Sequence, residues 1–164
     1  MDAEQVARAY FEAHARRDID GLRALYDPEV VIDLMSQGIY RGPDECCEYF
    51  ARVYAAVPDA EMVVERIIGG DGVAAVQWRM RGNFTGGPLP AGIEATGTWI
   101  ELRGCDVVEV ENDLITRNTA YLDGMELAQS LGMLPPAGSG AEKAMISAFN
   151  LANKARQTLR DRFA

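Results

Sequence analysis

Lysine and histidine are nearly absent from this 164-residue chain, which has two lysines, Lys143 and Lys154, and one histidine, His14. Fourteen arginines supply the other positive charges, against 25 acids, and the net charge is −9. One histidine and carboxylates that do not cluster in sequence give no recognisable metal ligand set. Three cysteines, the adjacent Cys46 and Cys47 and the solitary Cys105, form neither a C-x-x-C knuckle nor a disulfide framework. No serine sits in a turn suited to a nucleophilic triad. No apolar run approaches the ~20 residues of a membrane span. The opening MDAEQVARAY has neither a basic nor an apolar signal region. These absences predict a reduced, cytoplasmic protein with no membrane partner.

What is present suits one domain with a real core: 48% of the residues are hydrophobic. The charge is unevenly spread. Residues 1–140 carry 11 arginines against 23 acids, net −12, and residues 141–164 carry five basic residues against two acids, net +3. A body so acidic repels phosphate backbones, which argues against nucleic acid as a partner. The basic end reads as a separate device.

Periodicity divides the chain further. Helical spacing predicts helices over 2–17, 22–26, 43–57 and 127–134, and a last one over 141–164. Alternation predicts strands over 30–35, 38–41, 62–68, 73–84, 96–111 and 114–122, with hairpin turns at Gly69–Gly72 and Asn112-Asp113. Asp123-Gly-Met-Glu126 reads as a capping box. The order is α+β, not a βαβ nucleotide fold, and the glycines at 69, 70 and 72 are turn glycines. Residues 1–135 are expected to form the main domain, 136–140 a linker and 141–164 an amphipathic helix. Met145, Phe149, Ala152, Leu159 and Phe163 fall near a 3.5-residue spacing among Lys154, Arg156, Arg160 and Arg162. That helix is expected to pack on its own acidic body or on a dimer mate.

The residues Tyr10-Phe-Glu-Ala-His14-Ala-Arg-Arg-Asp18-Ile-Asp20-Gly21, the strand Val30-Val-Ile-Asp33 and Arg41-Gly42-Pro43 resemble the opening of a nuclear transport factor 2-like domain. Arg81-Gly82-Asn83-Phe84-Thr85-Gly86, Gly104-Cys-Asp106-Val107 and Ala120-Tyr121-Leu122-Asp123 resemble its SnoaL-like polyketide cyclase and ketosteroid isomerase-like branch. The resemblance covers roughly residues 3–135. It implies a conical half-barrel around an apolar pocket, a homodimer, and chemistry without a cofactor: an acid/base group moves a proton beside a carbonyl. It implies fold more than reaction, because the fold also carries silent members. The family's catalytic groups fall here on Leu34, Phe84 and Ala120, so none of its catalytic sets is complete.

Candidate residues follow from strand faces and helix spacing. Asp106 lies in line with Val108 and Val110 if alternation runs through Gly104; a bulge at that glycine would turn it outward. Asp33, beside Leu34, is the reserve acid/base group. Tyr10 and His14, four apart on the first helix, share a face, though a surface position beside Arg17 also accounts for His14. Asn118 shares a strand face with Thr116, Ala120 and Leu122 and is placed to orient a carbonyl. Asp123 is explained by its cap. Trp78, Met80, Tyr54, Phe50, Ala120 and Leu122 are expected to contact a small hydrophobic substrate. The functional readings are a cyclase, isomerase or dehydratase acting on a carbonyl compound, a catalytically silent binding or assembly domain, and a structural subunit of a larger oxygenase.

Overall fold

A computed structural model describes residues 1–35 and 37–163, with side chains as far as Arg160. The chain opens with α1 (Ala3–Arg16), where Asp2 accepts from the Gln5 amide and the Gln5 side chain accepts from the Asp2 amide. This reciprocal capping box satisfies two amide donors that a helix start otherwise leaves unpaired. Helix α2 (Ile19–Leu25) is capped by Asp18, and strands β1 (Tyr26–Leu34) and β2 (Gly38–Arg41) follow. Helix α3 (Gly42–Ala56) begins on Gly42-Pro43 with Asp44 and Glu45 in its first turn.

From Glu61 the period becomes two. Strands β3 (Glu61–Gly70) and β4 (Val73–Asn83) meet at Asp71-Gly72, and β5 (Trp99–Glu111) and β6 (Leu114–Leu122) meet at Asn112-Asp113. All four turn residues have positive φ, 50° and 79° in the first hairpin and 50° and 66° in the second, as two-residue turns between twisted strands require. The sheet order is β2-β1-β6-β5-β4-β3, with β1 and β6 parallel and every other pair antiparallel. It is a six-stranded mixed sheet that does not close, in an α+β fold.

Helix α1 packs against β3, β4 and β5, and α3 against β1, so one sheet face is covered. On β4 the covered set is Ala74, Val76, Trp78 and Met80; Arg79 and Arg81 face out and pair with Glu65, Glu101 and Glu61. One open sequence reading is decided here and one expectation changes. The ladder between β4 and β5 runs without a register shift through Trp78↔Gly104 and Val76↔Asp106, so Gly104 marks no bulge. The bulge lies instead in β6: Glu109 pairs with Arg117 and Val110 with Ile115, which leaves Thr116 extra. Ile115, not Thr116, is therefore buried with Asn118 and Ala120.

The strand expected from Thr96 begins at Trp99. Phe84 and Thr98 are joined by a backbone bond, and the segment between them is a loop. That loop is pinned to the end of α3: the Gly86 and Gly87 amides donate to the Ala56 and Ala55 carbonyls. A Cβ on Gly86 would lie 1.8 Å from the Ala55 oxygen, so only glycine permits this approach. Helix α4 (Gly124–Ser130) is capped by Asp123, which accepts from the Glu126 amide. The reciprocal half of the expected box is not made, because Glu126 reaches Arg103 on β5 and the Asp123 amide donates to the Arg103 carbonyl. Helix α5 (Gly140–Phe163) follows, and among the described residues it makes no extensive contact with the sheet or the other helices.

Candidate functional site

Alternation along β5 points Ile100, Leu102, Asp106, Val108 and Val110 to the covered face, and Asp106 is only 5% exposed. A carboxyl group there needs donors, and two neighbouring strands supply them. Across the ladder Trp78 faces Gly104, and a Cβ at that glycine would lie 2.4 Å from indole Cζ2. The indole lies over the bare backbone, and its Nε1 donates to Asp106 Oδ1 at 2.7 Å. From β6, the fully buried Asn118 donates through Nδ2 to Asp106 Oδ2 at 2.7 Å. Asn118 Oδ1 has no hydrogen-bond partner among the described residues. Directly opposite Asp106 stands Ala120, whose methyl group fills little space. Burial pushes the Asp106 pKa from 3.8 up to about 6, and the Asn118 and Trp78 donors pull the other way.

His14 is buried on α1, not on the surface beside Arg17. The rings of Tyr10 and Phe50 stand edge-on to it, with centroids at 4.4 and 4.5 Å. Its Nδ1 shares a 2.7 Å hydrogen bond with the Tyr54 hydroxyl on α3. Burial lowers its pKa to about 3, so the ring is neutral at neutral pH. When Tyr54 donates, Nδ1 accepts and Nε2 carries the N–H. The pair then offers a neutral donor, suited to a developing oxyanion.

These groups face a cavity of about 300 Å³. Asp106 and His14 line it, as do all six expected contact residues, Phe50, Tyr54, Trp78, Met80, Ala120 and Leu122. Among the described residues, Asp106 is the one acidic side chain in the lining, and no lysine or arginine is there. Tyr10 and Asn118 lie behind it: Tyr10 accepts from the Tyr26 hydroxyl at 3.3 Å, and Asn118 holds Asp106. Burial, foremost, raises the Tyr10 pKa well above its ordinary value and keeps the hydroxyl protonated.

Asp33 does not reach the cavity. The β1 pleat turns Ile32 and Leu34 inward, so Asp33 faces the other side and pairs with Arg117 at 3.1 Å. Asp123 stays a helix cap. Sequence reasoning missed the rim. Leu89 and Ile93 line the cavity from the pinned loop, and Gln37 lines it while accepting from the Tyr49 hydroxyl at 2.5 Å. The apolar pair within a Gly/Pro-rich loop was the available signal for the first; Gln37 had none. Among the described residues, no three His, Cys, Asp or Glu side chains come together as a metal site. No described helix is long and apolar enough to cross a membrane.

Solved structures share this architecture. A candidate SnoaL-like polyketide cyclase from Jannaschia sp. CCS1 is 17% identical, covering 80% of this chain and 92% of its own, with a TM-score of 0.71. AclR, a candidate hydroxylase from Streptomyces galilaeus, is 15% identical and covers 95% of both chains, with a TM-score of 0.72. An LEH-like epoxide hydrolase of M. tuberculosis is 20% identical, covering 80% of this chain and 90% of its own, with a TM-score of 0.62. At these identities the likeness shows the fold alone. No curated protein sequence matches the chain. The family described as the SnoaL-like domain matches residues 7–118, well over half of the sequence, and the chain belongs to that family.

Proposed function

We propose that the cavity carries out acid/base chemistry on a small hydrophobic carbonyl compound, with Asp106 as the proton acceptor. The observation that carries this reading is a buried carboxyl group at an apolar cavity, held by two neutral donors and, among the described residues, by no cation. Above pH 6 such a group is ionised yet poorly solvated, which makes it a stronger base than a surface aspartate. The C–H bond beside the carbonyl breaks, its proton passes to Asp106 and its electron pair moves onto the carbonyl oxygen. The neutral His14–Tyr54 pair donates a hydrogen bond to that oxygen. Returning the proton to another carbon isomerises the substrate; alternatively the enolate carbon attacks a second carbonyl to close a ring, the π pair of that carbonyl moves onto its oxygen, and this oxygen takes the proton back from Asp106. The name of one similar solved structure, a candidate SnoaL-like polyketide cyclase, is consistent with this chemistry.

Deuterium exchange tests the first step without knowledge of the natural substrate. Hydrophobic ketones such as 1-tetralone and progesterone, incubated with the protein in D2O, are followed by proton NMR at the carbon beside the carbonyl. Exchange is expected above the buffer rate, rising with pH through about 6. Asp106→Asn is expected to lower it by about 10²-fold or more. Exchange unchanged by that substitution overturns the proposal. A second reading rests on Leu34, Phe84 and Ala120, apolar residues where the resemblance puts catalytic groups. It predicts ketone binding with exchange no faster than buffer.

A further inference from the structure

We infer that α5 pairs antiparallel with α5 of a second copy of this chain, with Ala152 at the two-fold axis. This inference does not depend on the chemistry proposed for the cavity. Helix α5 has 24 residues, and its described side chains are exposed except for the half-buried Glu142 and Asn153. Met145, Phe149 and Leu159 are 44, 62 and 55% exposed, an apolar seam left in water.

The spacing of that seam indicates what covers it. Positions 145, 149, 152, 156 and 159, apolar except for Arg156, step by four, three, four and three, a mean of 3.5 residues. A stripe at 3.5 stays in register along a partner helix that supercoils with it, whereas a helix lying on a globular surface shows a wider stripe at 3.6. Ala148 and Ala155 flank the seam and permit close approach.

Charge sets the direction. A parallel pair would bring Arg156 against its own copy within the seam and gather Lys154, Arg156 and Arg160 of both helices at one end. In the antiparallel pair centred on Ala152, Arg156 lies opposite Ala148 and Leu159 opposite Met145. Arg160 then reaches the first turn of the partner helix, where Glu142 stands, and the two helix dipoles oppose.

Cysteines placed in the full-length chain test the geometry. The probe is a short phenylene dimaleimide, the readout a denaturing gel, and the wild-type chain controls for Cys46, Cys47 and Cys105. Ala152→Cys is expected to cross-link to its own copy. Met145→Cys alone is expected to stay monomeric on the gel, because two copies of position 145 lie about 21 Å apart along the antiparallel axis. Met145→Cys with Leu159→Cys is expected to cross-link. Linkage of Met145→Cys to itself shows a parallel pair and overturns the proposal. So do linkage of the new cysteines to Cys105 on the sheet, and an Ala152→Cys chain that links no more than wild type.

Discussion

Asp106 owes its setting to a residue with no side chain. Gly104 lets the Trp78 indole lie on the strand and reach the next inward position, two residues on. Alternation put Asp106 on the apolar face only on condition that it ran unbroken through Gly104, so its placement was half legible. The purpose of Gly104 was not: a glycine inside a strand also signals a bulge, and the cause lies across the ladder on Trp78. Gly104→Ala is expected to push the indole aside, destabilising the fold by about 1–3 kcal/mol as an overpacked core does. Losing the Trp78 donor also weakens the pull on the carboxylate, so the pH midpoint of deuterium exchange should move above 6. Chemical denaturation and the exchange profile of this variant measure both effects, and an unmoved midpoint would contradict the role assigned to Trp78. Asp33 shows the same rule from the other side. One residue along a pleat separates a cavity carboxylate from a surface partner of Arg117.

Among the elements, those with strong periodicity were legible, and the segments that complete the cavity were less so. The first helix was clear from its helical spacing over 2–17, yet the burial of His14 depends on Tyr54 and Phe50 of α3, contacts that no local pattern encodes. The loop from Phe84 to Thr98 was read partly as strand, because its shape comes from Gly86 pressed against the end of α3. At α4 the cap was legible and the box was not, since Arg103 on β5 takes Glu126. Asp123 thus has one structural task, and its substitution separates that task from chemistry. Asp123→Ala is expected to cost about 1 kcal/mol, while Asp123→Ser keeps an N-cap acceptor and restores most of it. Both losses are read by denaturant unfolding. If Asp123→Ser recovered stability yet abolished ketone exchange, Asp123 would have to be placed in the catalytic machinery.

Across the whole molecule, the two titrating groups of the cavity bend the stability curve in opposite directions. Asp106 is easier to protonate in the folded chain than in the unfolded one, at about 6 against 3.8. Its contribution is therefore present below pH 4 and lost as pH rises through 6, a difference of about 3 kcal/mol. His14 is harder to protonate when folded, at about 3 against 6.5. Its contribution is present above pH 6.5 and lost as pH falls towards 3, a difference of about 5 kcal/mol. Between pH 4 and 6 the two slopes nearly cancel, and below pH 4 the histidine acts alone. Asp106→Asn removes one slope. The Asn118 amide can turn its unpartnered Oδ1 toward the new amide group, so the variant keeps its hydrogen bonds. Relative to wild type it should gain stability above pH 6 and lose that advantage as pH falls to 4. His14→Asn keeps an acceptor for Tyr54 at the Nδ1 position and removes the other slope. Relative to wild type, this variant should gain ground steadily as pH falls from 6.5 to 3. Urea unfolding at half-unit pH steps measures both difference curves, in which all other titrating groups cancel. Two flat curves would mean that neither group is desolvated, and the cavity would then lack the low-dielectric character on which Asp106 depends as a base.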